Sequence, residues 1–274
     1  MDNIDFGRAA GDYARYRAGF PTELFRRLSA LAVGVPGQRL LDMGSGTGTL
    51  ARGFAARGCD VIALDRSPAL LAAARELARA EGVQVTPVQA LAEDLPFPAV
   101  WFDVVSAGQC WHWFDRARAA DEAYRVLKPG GKLVLAHFDW IPLPGNVVEA
   151  TEALIIKYNP PWADLEVLKL SGSTGMYRDW LTDLALAGFT DLETFSFDVH
   201  VPYTHEGWRG RIRASAGVAA AGLSPDTIAA FDAELQKILE ERFPAQPVRV
   251  HHRVFAVVGT RTLSGTQGGE RTIV

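Results

Sequence analysis

Short apolar runs alternate with amphipathic segments through the first half of the chain. The runs end at glycines or acids and contain many β-branched residues, which is typical of strands buried on both faces of a parallel sheet. The segments between them repeat their apolar residues at helical spacing, so the pattern predicts an α/β fold. The predicted strands are 39–43, 60–64, 83–89, 102–107 and 132–138, and the predicted helices are 50–58, 67–82 and 116–131.

The second half of the chain has a less regular pattern. A proline-rich linker, Ile141 to Asn146, follows the fifth strand. Helical spacing recurs over 177–189, about 205–220 and 224–242, and apolar alternation over 191–203 and 248–262 predicts two last strands. We expect an N-terminal arm and helix over 1–37, a core over 38–140, a lid over 141–176, the remaining core over 177–262 with a helical insertion near 204–243, and a loosely held tail over 263–274.

Composition narrows the class of protein. The 274 residues are 48% hydrophobic with a net charge of −4, which is typical of a soluble globular protein. We expect no nucleic-acid partner, because no basic stripe is present, and no membrane partner, because no apolar run reaches roughly 18 residues. The start of the chain lacks the apolar region of a secretory signal. Cys59 and Cys110 lack metal-ligand spacing, so we expect free thiols, no metal and a cytoplasmic location. We also expect a monomer or homodimer.

A glycine-rich loop, Asp42 to Gly48, joins the first strand to the first helix. Glycines allow a tight turn and a close approach to a ligand, although an ordinary strand-to-helix turn can have the same composition. The nicotinamide fingerprint G-x-G-x-x-G requires a third glycine where this chain has Thr49. The spacing therefore favours a cofactor other than a nicotinamide dinucleotide.

The stretch "LLDMGSGTGTL", residues 40–50, resembles the first motif of class I S-adenosylmethionine-dependent methyltransferases, and "RVLKPGGKLVL", residues 125–135, resembles a later segment of the same family. The resemblance implies a Rossmann-like seven-stranded sheet of order 3-2-1-4-5-7-6, with strand 7 antiparallel and an inserted, mainly helical lid. It implies S-adenosyl-L-methionine as cofactor and S-adenosyl-L-homocysteine as product. It also implies that the loop holds the methionine part and that Asp42 steers its amino group.

Other residues extend this cofactor site. Asp65 ends the second strand, where a carboxylate suits a ribose diol or caps the next helix. The family resemblance places the adenine beside residues 91–97, with Leu91 where other members often carry Asp or Asn. The residues predicted to bind the cofactor are Tyr13, Arg17, Asp42, Gly44, Ser45, Gly46, Thr47, Gly48, Asp65, Arg66, Leu91, Ala92, Glu93 and Gly108.

The N-terminal stretch "FGRAAGDYARYRAGFP", residues 6–21, is similar to the opening of small-molecule methyltransferases akin to trans-aconitate methyltransferases, of the methyltransferase type 11 domain. In those proteins this segment folds over the cofactor. The similarity places Tyr13, Tyr16 and Arg17 near the cofactor carboxylate, which arginine binds bidentately. Ala18 replaces a proline of the family pattern, and a solvated arm is the alternative.

The loop after the fourth strand contains the main catalytic candidate. Ligands of open parallel sheets bind beyond the carboxyl ends of the strands, at the switch in strand order, and residues 108–114 follow such a strand. His112 is the candidate base or substrate-orienting group. Trp111 and Trp113 are candidates to line the substrate pocket or to face the sulfonium. Packing in the core is the alternative role for all three.

Two further features concern the substrate. "NPPW", residues 159–162, resembles a motif of amino methyltransferases that act on nucleic-acid bases and glutamine, but in those families it follows strand four, and here it follows strand five. We expect a rigid lid loop instead, with Tyr158 and Trp162 lining the cavity. Arg209 shares a helix face with Arg213 and is a candidate to bind an acidic substrate, with a solvated face as the alternative.

The sequence thus predicts an S-adenosylmethionine-dependent methyltransferase that acts on a small-molecule acceptor by in-line displacement. Such a reaction requires orientation of the nucleophile and exclusion of water, and a base only where the acceptor must lose a proton. The alternatives are a nucleic-acid base or protein methyltransferase, an NAD-dependent oxidoreductase and a non-catalytic cofactor-binding module.

Overall fold

A single seven-stranded sheet organises the chain, in a computed structural model that describes residues 16, 18–164, 174–218 and 221–262. The spatial order is β3-β2-β1-β4-β5-β7-β6, with β7 antiparallel to both neighbours, which confirms the predicted fold class. The strands are β1 (Arg39–Met43), β2 (Asp60–Asp65), β3 (Thr86–Gln89), β4 (Phe102–Gly108), β5 (Leu127–Trp140), β6 (Phe189–Tyr203) and β7 (Val248–Arg261).

Helices cover both faces of this sheet and one of its edges. Ser67 Oγ accepts the N–H of Leu70 at 3.4 Å, and Asp115 Oδ1 accepts the N–H of Arg118 at 3.3 Å, so these side chains cap the two helices that follow them. The helices are α1 (Thr22–Ala30), α2 (Thr49–Ala55), α3 (Pro68–Ala80), α4 (Arg116–Val126), α5 (Val147–Tyr158), α6 (Asp179–Leu186), α7 (His205–Arg213) and α8 (Pro225–Arg242). Short 3₁₀ turns occupy Trp111–Trp113 and Pro160–Asp164.

Two predicted boundaries are wrong. The helix predicted over 116–131 ends at Val126, because Leu127 already pairs with Phe102 of β4. The register then shifts, so that Val104 pairs with Lys132, and the Pro-Gly-Gly turn becomes an irregularity inside β5. The helix predicted over about 205–220 ends at Arg213.

The core consists of two layers that alternate residues of the same strands. On β1, Leu41 and Met43 face a cluster that contains Trp111 and Trp180, whereas Leu40 faces a cluster with residues of α1 and α2. This alternation places α4 and α6 on one face and α1 and α2 on the other. A third apolar cluster joins α5, α7 and α8 to the ends of β6 and β7.

The carboxyl ends of the parallel strands meet at one edge. Met43 of β1 pairs with Ala107 of β4, and Gly108 of β4 pairs with Ala136 of β5. Strand β5 continues past this level to Trp140, beyond the end of β4, and stays paired with β7. The predicted tail lies outside the described residues, and within the described part of the chain no helix has the length and apolar character to cross a bilayer.

Candidate active site

The glycine loop after β1 is strongly curved and presents its backbone to open space. Gly44, Gly46 and Gly48 have φ angles of +61°, +55° and +79°, a region that glycine adopts without a Cβ clash. The N–H of Ser45 donates to the carbonyl of Leu64 at 2.9 Å, so the loop is held against the end of β2. Among the described residues, a Cβ added to Gly46 would meet no atom within 4 Å, so they leave space above the loop for a ligand.

Asp65 fixes the loop from the end of β2. Its Oδ2 accepts the N–H of Gly46 at 2.9 Å and its Oδ1 accepts the N–H of Ser67 at 2.8 Å. The side chain therefore connects the glycine loop to the start of α3, which includes the capping role considered for it. A carboxylate has about four acceptor positions, so Asp65 keeps capacity for hydroxyl donors of a ligand.

Ser45 has a hydroxyl that the protein leaves unused. Its Oγ is buried and has no hydrogen-bond partner among the described residues. Buried hydroxyls are normally paired because an unpaired one costs free energy. This hydroxyl lies in the loop between Gly44 and Gly46, so the loop fits a ligand that brings a polar atom to this point.

Asp42 holds several elements together at the start of the glycine loop. It is 1% exposed, with Oδ1 accepting the hydroxyl of Ser106 at 2.7 Å and Oδ2 accepting the N–H of Ala51 at 3.2 Å. Burial raises the pKa of this carboxyl to about 7, against these two hydrogen bonds and with a further increase from the charge of Asp65. Asp42 thus ties β1 to β4 and α2, and its steering of the cofactor amino group remains a prediction.

Thr47 and Gly108 serve the packing around the loop. The side chain of Thr47 is buried, and its carbonyl accepts a hydrogen bond from Arg52. A Cβ on Gly108 would lie 2.6 Å from Leu50 Cδ1, so this glycine lets the end of β4 approach α2 closely. Direct contact of either residue with a cofactor remains a prediction.

The residues predicted beside the adenine, together with Arg66, differ in their exposure to solvent. Ala92 is buried in the core, whereas Leu91 is 53% exposed and Arg66 is exposed. Glu93 Oε1 accepts the N–H of Asp115 at 3.0 Å and so fixes the start of α4. Contacts of these residues with the cofactor remain predictions.

Of the N-terminal arm, the structure describes residue 16 and residues 18–37. Tyr13 and Arg17 lie outside the described residues. The ring of Tyr16 packs against α7, where a Cβ added to Gly210 would overlap it. Tyr16 thus contacts α7.

Trp111 belongs to the core, which corrects its assignment to the substrate pocket. The side chain is fully buried, and its Nε1 donates to Asp183 of α6 at 2.9 Å. Arg116 donates to the same carboxylate oxygen at 3.1 Å. Trp111 therefore seals the junction between the sheet, α4 and α6, and the packing alternative is the correct one for this residue.

His112 and Trp113 are half-buried, with ring centroids 4.5 Å apart. The turn that carries them contacts the glycine loop, since a Cβ on Gly44 would lie 2.9 Å from Cys110 Sγ. The imidazole of His112 is also 5.4 Å from that of His137 and stacks parallel to Tyr177 at 6.4 Å. His112 thus lies on a turn that contacts the glycine loop, and its ring is close to polar side chains from β5 and the segment before α6.

This polar set was missed by the sequence analysis. Asp139 Oδ2 lies 3.0 Å from His137 Nδ1 and accepts the hydroxyl of Tyr177 at 2.5 Å. Burial opposes ionisation of Asp139, but the charges and hydrogen bonds of His137, Tyr177 and His112 outweigh it and lower its pKa to about 2. His137 and Asp139 are two residues apart on one strand and share a face, so polar residues at the end of an apolar strand were the available signal, whereas Tyr177 offered none.

The residues expected in a lid bind within the helical layer, which consists of α5, α7 and α8. Trp162 is buried and its Nε1 donates to Glu152 Oε2 at 2.9 Å, while Trp140 Nε1 donates to the other oxygen at 2.6 Å. The hydroxyl of Tyr158 donates to Glu234 of α8 at 2.9 Å. The structure therefore does not support the expectation that Trp162 and Tyr158 line a substrate cavity.

Arg209 is engaged in the same layer. It forms an ion pair with Asp232 of α8, which also accepts Arg213 Nη1 at 2.9 Å. Both guanidinium groups are mostly buried by this contact, so the assignment of Arg209 to an acidic substrate is corrected. In the "NPPW" motif both prolines are exposed, Asn159 is half-buried, and its Nδ2 donates to the carbonyl of Gly217 at 3.0 Å.

Comparison with known proteins supports the cofactor half of this site. A family model described as a methyltransferase domain matches residues 41–135. An uncharacterized methyltransferase of Mycobacterium tuberculosis is 39% identical over 152 residues, 53% of this chain and 59% of the relative. The chain thus spans 59% of the length of that relative. A demethylmenaquinone methyltransferase of Clavibacter sepedonicus is 34% identical over 177 residues, 64% of this chain and 69% of the relative.

Solved structures agree on the fold. Phosphoethanolamine N-methyltransferase 2 of Haemonchus contortus, in complex with phosphomonomethylethanolamine and S-adenosylhomocysteine, aligns with a TM-score of 0.55. The alignment covers 96% of this chain and 60% of that one at 21% identity. The motifs, the strand order and the relatives agree: this chain belongs to the class I S-adenosylmethionine-dependent methyltransferases, whose cofactor is S-adenosyl-L-methionine.

Proposed function

We propose that this chain transfers a methyl group from S-adenosylmethionine to a small-molecule acceptor bound beside His112, at the carboxyl ends of β4 and β5. The observation that carries the proposal is the hydroxyl of Ser45, which is buried without a partner among the described residues, next to the open space above Gly46. A protein that used this loop only as a turn would have no reason to keep such a hydroxyl.

The cofactor residues follow from the loop outward. The backbone of residues 44–48 and the hydroxyl of Ser45 would hold the methionine part, and Asp65 would accept the ribose hydroxyls. Bound S-adenosylmethionine supplies an activated methyl group on a sulfonium. The protein therefore has to align the acceptor and exclude water.

His112 is the candidate catalytic residue. It is half-buried, its turn contacts the glycine loop through Cys110, and its ring lies beside polar groups of β5. An imidazole titrates near neutral pH and can take a proton from an acceptor that has to lose one. Trp113 lies against the same ring and is the candidate to line the acceptor pocket.

Three observations favour a small acceptor over a macromolecule. The name of the Clavibacter relative specifies a small molecule, demethylmenaquinone. The helices α5, α7 and α8 pack at the edge where β5 ends, which favours an enclosed site. The "NPPW" motif that would favour a nucleic-acid base has its asparagine bound to Gly217 inside the protein.

Transfer of a tritiated methyl group tests the proposal. The full chain is incubated with methyl-tritiated S-adenosylmethionine and, in separate reactions, with hydroquinones, amines, thiols, carboxylic acids, DNA, RNA and denatured protein. We expect label in a small-molecule product and none after substitution of His112 by alanine. Label in a macromolecule alone supports the rival methyltransferase class, and tight cofactor binding without any transfer supports a binding module.

A further inference from the structure

Three polar side chains lie in a part of the core where the neighbouring residues of β5 are apolar. His137 is 5% exposed and Tyr177 is 1% exposed, directly after the buried run Leu133 to Ala136. Burial of an imidazole and a carboxylate contributes little or nothing to stability compared with apolar side chains of the same size. The cluster of His137, Asp139 and Tyr177 therefore requires an explanation other than packing.

The contacts within this cluster fix the state of its imidazole. Asp139 Oδ2 lies within hydrogen-bond distance of both His137 Nδ1, at 3.0 Å, and the Tyr177 hydroxyl, at 2.5 Å. An ionised carboxylate can only accept hydrogen bonds, so Nδ1 of His137 carries a hydrogen. The orientation of the ring is thus set by a carboxylate behind it, as in other sites where an acid orients a histidine.

His112 is the next imidazole outward from this cluster. Its ring is 5.4 Å from that of His137 and lies parallel to Tyr177, with an angle of 10° between the planes. The charge of His112 also acts on Asp139, whose side chain is 32% exposed, and contributes to its low pKa. The carboxylate of Asp139 therefore interacts with both imidazoles.

Three other titratable groups near the cluster are either paired or buried. Arg253 of β7 pairs with Asp139 in the strand register, but its guanidinium binds Asp198 at 2.6 Å. His252 is buried, and burial lowers its pKa to about 4 despite a hydrogen bond to a backbone carbonyl. Burial also raises the pKa of Glu152 on α5, against hydrogen bonds from two tryptophans. Among the described residues, Asp139 is a carboxylate on which the charge of His112 acts.

We propose that Asp139, His137 and Tyr177 position His112 to accept a proton, so that the methyl acceptor of this site carries an ionisable hydroxyl, as a phenol or an enol does. The inference rests on the proposed function. A neutral aryl amine or an ionised carboxylate attacks through a lone pair without prior loss of a proton, whereas a phenol is a weak nucleophile until it is ionised. A proton-accepting histidine near a charged carboxylate is therefore of most use to a hydroxyl acceptor.

In the proposed step, one proton and one methyl group are transferred. The O–H bond of the acceptor breaks and its proton moves to a ring nitrogen of His112. The oxygen, or a carbon conjugated with it, forms a bond to the methyl group while the bond from that methyl to sulfur breaks and its electron pair stays on sulfur. Asp139 stabilises the resulting imidazolium, and His137 and Tyr177 act as positioning residues because they hold Asp139.

The test compares Asp139→Asn with Asp198→Asn. Asp198 is a matched control because it also binds a histidine, His251 Nε2 at 2.9 Å. It lies on β6, on the other side of Arg253 from Asp139, and binds the guanidinium of Arg253. With 1,4-naphthohydroquinone and tritiated cofactor, we expect Asp139→Asn to lower kcat about 10- to 100-fold, within the range of general base catalysis. The acidic limb of its pH profile should move to lower pH, because the imidazolium loses its carboxylate, while KM for the cofactor stays constant.

A nuclear magnetic resonance titration gives a readout that needs no turnover. The ring signals of His112 should titrate at lower pH in Asp139→Asn, less so in Tyr177→Phe, and unchanged in Asp198→Asn. A purely structural role would lower kcat at every pH and leave the limb and the titration of His112 in place, which would overturn the inference. Methylation of amines or thiols only would overturn the substrate class.

Calorimetry with S-adenosylhomocysteine separates this inference from the proposed function. If all variants bind the nucleoside and His112 titrates identically in each, the positioning role is wrong and the proposed function stands. If the wild-type chain binds no S-adenosylhomocysteine and methylates no acceptor, the proposed function itself fails. Tyr177→Phe retains the buried ring and replaces Asp139→Asn if that variant does not fold.

Discussion

The two halves of the site differ in how they treat their polar groups. In the cofactor half, the loop around Ser45 and Gly46 leaves a buried hydroxyl unpaired within the described residues and an open space above the backbone. In the acceptor half, Asp139 binds both His137 and Tyr177. The difference indicates that the first half is a surface shaped for a ligand, whereas the second is an internal network that prepares one side chain.

Two acids at this edge of the sheet show the same contrast. Asp42 of β1 has only neutral partners, and burial raises its pKa to about 7. Asp139 of β5 is also shielded, but His137 and Tyr177 outweigh burial and its pKa falls to about 2. Burial raises the pKa of both carboxyl groups, and the partners of Asp139 reverse that direction.

The largest predicted effect belongs to the acceptor half. His112→Ala should lower kcat about 10²- to 10⁴-fold, the usual range for a general base, and leave the Kd of S-adenosylhomocysteine unchanged. His200→Ala is the control, because His200 is an exposed histidine on β6. Steady-state methyl transfer and calorimetry measure the two quantities. Wild-type turnover by His112→Ala would remove the residue from the mechanism.

In the cofactor half, Gly46→Ala should weaken S-adenosylhomocysteine binding at least about 10-fold, or about 1.4 kcal/mol. Gly82→Ala is a close control: both glycines have positive φ, +55° and +70°, and open space at the Cβ position. Each substitution costs about 1–2 kcal/mol of backbone strain, so chemical unfolding should show similar losses. Calorimetry should then show weaker binding in Gly46→Ala alone, and equal binding by both variants would contradict the assignment of the loop.

Neighbouring tryptophans sharpen the comparison between core and site. Trp111→Phe removes the hydrogen bond to Asp183 in a fully buried position and should lower the free energy of unfolding by about 1–2 kcal/mol. Trp113→Phe, in a half-buried position, should have a smaller effect on stability and a larger one on the KM of the acceptor. Urea unfolding and steady-state kinetics distinguish them. The reverse order of effects would place Trp111 rather than Trp113 at the acceptor.

The last prediction is a pH dependence of the free energy of unfolding caused by Asp42. Its pKa is about 7 in the folded chain and about 3.9 when unfolded, so between these values the folded state keeps a proton that the unfolded state has lost. The free energy of unfolding contributed by Asp42 therefore falls as pH rises from about 4 to about 7, then levels off. Asp42→Asn should flatten this slope in urea titrations. Asp139→Asn should not, since its pKa shift acts below about pH 4.

The cofactor half could be predicted from the sequence because its residues are close together along the chain. The glycine loop, Asp65 and the caps Ser67 and Asp115 all lie at strand or helix ends, where local residue type and spacing determine their position. Strand order followed from the family resemblance. The partners of Asp42 could not be predicted, because the contacts of a buried carboxylate with β4 and α2 are not revealed by any local pattern.

The acceptor half depends on contacts between distant residues. Tyr177 reaches Asp139 across 38 positions of sequence, and Trp111 reaches Asp183 across 72. The aromatic residues around His112 looked equivalent in the sequence, and only the third dimension separates buried Trp111 from half-buried Trp113. Arg209 looked available for a substrate because its partner, Asp232, lies on another helix.

Calorimetric titration of the wild-type chain with S-adenosylhomocysteine, and separately with NAD, tests the central claim most directly. The open glycine loop with the buried Ser45 hydroxyl and Asp65 predicts binding of S-adenosylhomocysteine that is weakened by Gly46→Ala, and no measurable heat with NAD. Binding of NAD without binding of S-adenosylhomocysteine would contradict the account.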